Sequence, residues 1–125
     1  MVAENKLISI KELYYHLQPE LKEETWNFLK QKFSLRVIPK NDYLVKQGDI
    51  CNHVSYITKG LIKYSCISEE KEYIGQFFFD NAYVSEYESF LTRKPSRCFM
   101  QALEETECID LSYDDLQALY NNFPE

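Results

Sequence analysis

The 125-residue chain contains no cluster of positive charge. Residues 1–60 carry nine Lys/Arg against seven Asp/Glu, and residues 61–125 carry five against thirteen, for a net charge of −6. Duplex DNA demands a local group of cations to displace counterions, so direct nucleic-acid binding by these residues is excluded. Histidine is nearly absent, with only His16 and His53. A metal-dependent oxygenase needs several imidazoles and a carboxylate converging on one ion, which this supply does not meet. The four cysteines, Cys51, Cys66, Cys98 and Cys108, include no CxxC pair and no Cys/His tetrad of zinc spacing. No window approaches the roughly 20 apolar residues of a membrane span. The opening MVAENKLISIKELYYHL is charged early and lacks the apolar run of a secretory signal. GxSxG, HExxH and P-loop patterns are missing too, which leaves catalysis without a recognisable centre. These absences point to a non-enzymatic, cytoplasmic chain without membrane attachment.

Hydrophobic residues make up 45% of the chain and aromatics 15%, enough for a packed core. At this length about two-thirds of the unfolded surface can be buried in one domain, and no linker or repeat divides residues 1–125. Cys66, Cys98 and Cys108 fall in strand-like apolar context, where free thiols act as small hydrophobes. They are expected to be reduced and structural; a redox sensor is the alternative reading.

Ser9-Ile10-Lys11-Glu12 has the form of a capping box and starts a short helix to about Leu17. Pro19 suits the first turn of a second helix. Leu21, Phe28 and Leu29 share one face of it, with Trp26 and Phe33 flanking. From Leu35 the period becomes two: Leu35 and Val37 alternate with Arg36 before the turn Pro39-Lys40-Asn41-Asp42. Strands are predicted at Tyr43–Lys46, Val54–Thr58, Leu61–Cys66, Tyr73–Phe78, Arg97–Leu103 and Cys108–Leu111. Ser112-Tyr113-Asp114-Asp115 then caps a last helix with Leu116, Leu119 and Tyr120 on one side. Short strands at intervals of about 6–12 residues suggest a closed roll or sandwich. The class is α+β, mainly β.

Several fragments, in order, resemble the cyclic-nucleotide-binding domain, in the version found in the sensor domains of Crp/Fnr transcription regulators. Val45-Lys46-Gln47-Gly48-Asp49 is similar to its strand-Glu-Gly-Asp turn, with Gln47 at the acidic position. Tyr56 to Gly60 is similar to its glycine step into a hairpin, and Phe77 to Tyr83 stands where it has an apolar strand and a turn. Ala102 to Glu107 and Leu111-Ser112 resemble the segments around its last strand and helix. The likeness runs over roughly Leu13 to Phe123. It implies a jelly-roll-like β-roll with flanking helices. It also implies a ligand-sensing regulatory domain, with DNA binding left to a C-terminal helix-turn-helix domain absent from this chain. A homodimer is expected of the full-length protein.

In members that bind cyclic AMP or cyclic GMP, the cassette reads Gly-Glu, a short helix, a loop, then Arg and a small residue. The resemblance places the glutamate on Glu86 and the glycine on Ser85. It places the arginine on Ser96 and the small residue on Arg97, so two of the four types have changed. A guanidinium–phosphate pair is a charge-assisted bidentate contact. Adjacent strand residues face opposite ways, so Arg97 replaces the missing guanidinium only through a bulge or a shift at Pro95. The candidate ligand corner is therefore Ser85, Glu86, Tyr87, Ser96 and Arg97, with a cyclic nucleotide or another small effector as its ligand and with cyclic AMP not bound in the usual way. Three other readings stay open. Glu86 and Glu88 suit the first turn of a helix capped by Ser85, and Arg93, Lys94 and Arg97 suit a solvated loop. The whole domain can also be a stand-alone interaction module whose pocket is filled by Tyr87 or Phe99; a cupin-type metal enzyme fails on its ligand count.

Overall fold

The computed structural model describes Leu7, Lys11 and residues 23–122. Helix α1 spans Glu23–Lys30, with Glu23 and Glu24 in its first turn and Lys30 in its last, charges that oppose the helix dipole at each end. Its buried side chains are Trp26 and Leu29, and Phe33 beyond the helix joins them. Leu7 and Lys11 are helical, whereas Ser9 and Glu12 of the capping box, the rest of that helix, and Pro19 and Leu21 lie outside the described residues.

Eight strands follow: β1 (Ser34–Ile38), β2 (Tyr43–Val45), β3 (His53–Lys59), β4 (Ile62–Ser68), β5 (Lys71–Phe78), β6 (Tyr83–Val84), β7 (Cys98–Ala102) and β8 (Thr106–Ser112). A short helix α2 (Tyr87–Thr92) interrupts them, and α3 (Tyr113–Asn122) closes the described chain. Two four-stranded antiparallel sheets result, ordered β1-β8-β3-β6 and β2-β7-β4-β5. This is the expected roll, with non-consecutive strands paired across it.

The β1-β8-β3-β6 sheet is covered on both faces, which explains why β8 reads almost continuously buried. Ile57 and Cys108 turn into the roll, packing with Ile62, Val84, Met100 and Ala102. Ile109, Leu111 and Tyr56 turn the other way, under Leu7, Trp26, Leu29 and Phe33. Each large apolar side chain so buried contributes about 1.5–3 kcal/mol, which makes α1 a lid on the outer face. At the C-terminal end, the Ser112 hydroxyl accepts the Asp115 N–H at 3.1 Å, as expected of a helix cap. Leu116 packs between both clusters and Leu119 joins the outer one. The side chain of Tyr120 lies outside the described residues.

Strand β1 has the opposite phase to the one its sequence suggests. Leu35 and Val37 are 45% and 53% exposed, whereas Ile38 is buried and Arg36 is half-buried. The reason is electrostatic: Arg36 Nε stands 2.8 Å from Asp110 Oδ2, an ion-pair distance, although its N–H is not aimed at that oxygen. Asp110 is buried and also accepts the Ser55 hydroxyl at 2.5 Å. A one-residue slip of β1 exchanges every face, and this inward charge pair selects the register that exposes Leu35.

The aromatic run Phe77-Phe78-Phe79 is less buried than its composition suggests. Phe78 packs on the core, while Phe77 and Phe79 are exposed on and beyond edge strand β5. Gly75 is the extra residue of a bulge there, because Tyr64 pairs with Gln76 and Ser65 with Ile74. A Cβ on Gly75 would stand 2.9 Å from Tyr64 Cδ1, so the bulge makes room for that ring.

The cysteine expectation needs correction. Cys66 and Cys98 are not free thiols but are joined in a disulfide between β4 and β7, with their Cα atoms 4.1 Å apart. They are direct partners in the β4–β7 register, so the fold itself brings the two side chains together. Cys51 and Cys108 are free and buried, and burial pushes the Cys108 thiol up to about 12.

Candidate functional site

Strand β6 ends at Val84, and the chain turns through Ser85 and Glu86 into α2. The cap of α2 is Glu86, not Ser85: its carboxylate accepts the Ser89 N–H at 3.2 Å. Glu86 is buried, and its carboxylate neutralises one of the orphan donors of the first turn. Ser85 is turned away from the helix. Its hydroxyl donates to the His53 carbonyl at 2.9 Å and stands 3.5 Å from Cys51 Sγ. Ser89, one turn on, accepts the Cys51 N–H at 2.9 Å, so the cassette helix is stitched to the loop before β3.

Helix α2 stops at Arg93, which adopts a left-handed φ of 61° and donates its N–H to the Ser89 carbonyl at 2.8 Å. The Arg93 side chain is not the solvated loop cation its neighbours suggest. Nη1 donates to the carbonyls of Cys51 and Phe90, both at 3.1 Å, and Nη2 donates to Asn52 Oδ1. Its guanidinium carbon lies 3.8 Å from the Tyr113 ring centroid, and Phe90 meets the same ring edge-on at 5.4 Å. Arg93 thereby ties the cassette helix to the first residue of α3.

The far side of the corner is set by two reciprocal backbone bonds. Gly48 N–H donates to the Ser96 carbonyl at 2.8 Å, and Ser96 N–H donates to the Asp49 carbonyl at 2.7 Å. The Gln47-Gly48-Asp49 turn and the end of the cassette therefore form one unit. Ser96 is buried, and its hydroxyl is engaged with its own chain: it donates to the Cys98 carbonyl at 2.8 Å and accepts the Cys98 N–H at 3.1 Å. Arg97 projects outward. Its side chain is 79% exposed, and Nη2 donates to both Glu88 carboxylate oxygens, at 2.9 and 3.0 Å. Tyr87 is half exposed, and Phe99 packs edge-on against Tyr43 at 5.8 Å.

Three residues near the site carry no motif in the sequence. Tyr64 faces the same corner: burial raises its phenol pKa first, Glu86 and Glu88 raise it further, and Arg97 opposes them. Its inward parity on β4 was legible only once the register with Met100 was known. The Arg36–Asp110 pair lies beyond Ser85, beside a cleft of about 570 Å³ between β1, the 48–52 loop and β3. Of the five expected site residues only Ser85 lines that cleft, together with Arg36, His53 and Ser55. Burial lowers the His53 pKa, Asp110 pulls it back up, and Arg36 lowers it again. Among the described residues, no group of three or more His, Cys, Asp or Glu side chains is placed to hold a metal.

Two antiparallel sheets rolled around a common core, with a short helix between β6 and β7 and another after β8, define a jelly-roll-like β-roll. The chain belongs to the cyclic nucleotide-binding domain family, whose model matches residues 35–123. No curated protein sequence matches it. Among solved structures, the catabolite activator protein of Thermus thermophilus is 21% identical with a TM-score of 0.72; the match covers 88% of this chain and 50% of that one. The sensor domain of the transcriptional regulator DNR from Pseudomonas aeruginosa is 18% identical with a TM-score of 0.78, over 96% of this chain and 81% of that domain. The regulatory domain of Toxoplasma gondii PKA, solved with cAMP, is 15% identical with a TM-score of 0.80, over 95% and 46%. These likenesses establish the fold, and the chain spans about half the length of the Thermus protein. No described helix is long and apolar enough to cross a membrane.

Proposed function

We propose that this chain is the sensor domain of a Crp/Fnr-type transcription regulator whose cassette does not take a cyclic phosphate in the family's usual way. The observation that supports this reading is the fate of the two residues at the arginine step. Arg97 is exposed and paired with Glu88, and the Ser96 hydroxyl is closed onto Cys98. A cyclic phosphate in the corner would meet the buried Glu86 carboxylate without a guanidinium to offset it, and losing such a charge-assisted pair costs about 1.5–3 kcal/mol. We assign Ser85, Glu86, Tyr87, Ser96 and Arg97 to the effector corner, with Glu86 as acceptor for a ligand hydroxyl. DNA contact through a further C-terminal domain, a homodimeric full-length protein and a cytoplasmic location belong to the same proposal. Calorimetric titration with cyclic AMP and cyclic GMP is expected to give no saturable binding below the millimolar range. Micromolar binding of either would overturn the reading.

A further inference from the structure

We propose that Cys66 and Cys98 are a reversible redox site, taking a low-molecular-weight disulfide of the glutathione type as co-substrate, which latches the end of the cassette. The inference that this bears on ligand sensing rests on the reading of the corner given above; the redox chemistry itself does not.

Ile62, Tyr64 and Cys66 alternate along β4 and pair with Ala102, Met100 and Cys98 of β7. Ala102 and Met100 are fully buried core residues, so this shared row faces the inside of the roll. The cysteine pair is the last rung of the row, two residues beyond Ser96. Both backbone groups of Cys98 bond the Ser96 hydroxyl, so the start of β7 is tied to the cassette end by Ser96 and to β4 by the strand pairing and the sulfurs. Ser96 in turn exchanges backbone bonds with Gly48 and Asp49. The disulfide thus closes a cyclic path: β4, the bond, the start of β7, the cassette end and the Gly48 turn.

Both sulfurs belong to half-buried residues, unlike Cys51 and Cys108, which are buried. A partly accessible disulfide is the kind that exchanges with small thiols. In the oxidising direction one protein thiolate attacks a sulfur of the small disulfide and expels one thiolate, giving a mixed disulfide. The second protein thiolate then attacks the protein sulfur and expels the other. Two protein thiols lose two electrons, the small disulfide becomes two small thiols, and these carry the two protons. Reduction runs the same steps backward. With the bond broken, the first rung of β7 loses its covalent tie and keeps only the strand pairing and the Ser96 bonds, so the cassette end parts from the Gly48 turn more readily.

The test equilibrates the intact chain in buffers of varied reduced-to-oxidised glutathione ratio, without any nucleotide. Free thiols are alkylated and mapped by peptide mass, and amide exchange is followed at Gly48 and Ser96. Cys66 and Cys98 are expected to convert together and reversibly. Reduction is expected to speed exchange at those two amides at least about fivefold, a local opening rather than global unfolding. The variants C66S and C98S, made singly, should exchange like the reduced protein at any ratio. The proposal is overturned if the pair stays reduced in excess oxidised glutathione, or stays oxidised in excess reduced glutathione. It is also overturned if the pair titrates while exchange at Gly48 and Ser96 is unchanged. Cyclic-nucleotide binding in the separate titration would defeat the cassette reading and leave these outcomes as they stand.

Discussion

Gly48 and Gly60 both have positive φ, 94° and 142°, and substituting alanine at each separates backbone strain from steric overlap. At Gly48 a Cβ meets nothing within 4 Å, so only the strain of the left-hand half of the map applies, about 1–2 kcal/mol. At Gly60 the same Cβ would lie 2.3 Å from Thr106 Oγ1 and 2.7 Å from both Thr106 Cα and Cβ. Thr106 is fully buried, and its hydroxyl accepts the Leu61 N–H and donates to the Glu104 carbonyl. It has nowhere to move. Strain of about 1–3 kcal/mol and overpacking of about 1–3 kcal/mol together give about 4 kcal/mol for G60A. That is a large part of a stability of about 5–15 kcal/mol, and lowers Tm by about 15 °C at this size. Adding T106A should not rescue G60A, because two of the three close atoms are Thr106 Cα and Cβ. Urea unfolding followed by fluorescence of the single, buried Trp26 reads all three variants. The reasoning is refuted if G60A falls within about 1 kcal/mol of G48A, the size of an ordinary substitution effect.

Asp110→Asn removes the partner of a half-buried Arg36, and discounting for the exposure of Arg36 gives a loss of about 1–2 kcal/mol by urea titration. Burial holds the His53 pKa below its ordinary 6.5, against the pull of Asp110 and with the help of Arg36. The unfolded chain therefore takes up the proton first, so stability is full above the unfolded pKa and falls as pH drops through the folded one. H53Q should flatten the His53 part of that fall; an unchanged pH profile would contradict it. Arg93→Ala breaks three side-chain hydrogen bonds and the Tyr113 stack, and should cost about 2–3 kcal/mol, with Arg93→Lys recovering little. Cys108, with its thiol near 12, should resist iodoacetamide in the native protein at pH 8 and react only on unfolding.

The positions of strands and turns were legible because they rest on local chemistry. The Ser112 cap and the hairpin between β4 and β5 follow from residues within one or two turns of each other. What escaped depends on partners distant in sequence. The phase of β1 is decided by Asp110, more than seventy positions after Arg36, and an alternation of Leu35 and Val37 with one arginine reads naturally in the wrong phase. Cys66 and Cys98 meet only through the β4–β7 register, which no spacing rule encodes. The cassette illustrates both cases at once. A short helix after Glu86 and a strand after Ser96-Arg97 were readable from the order of the fragments. The roles were not, since Glu86 rather than Ser85 caps α2, and Arg93, grouped in sequence with exposed Lys94 and Arg97, is the arginine that holds the corner. Arg93 reaches from α2 to the 51–52 loop and to Tyr113 of α3, so a ligand that displaces α2 moves a contact to the C-terminal helix directly. Arg93, more than Arg97, is thus the arginine that joins α2 to the C-terminal helix.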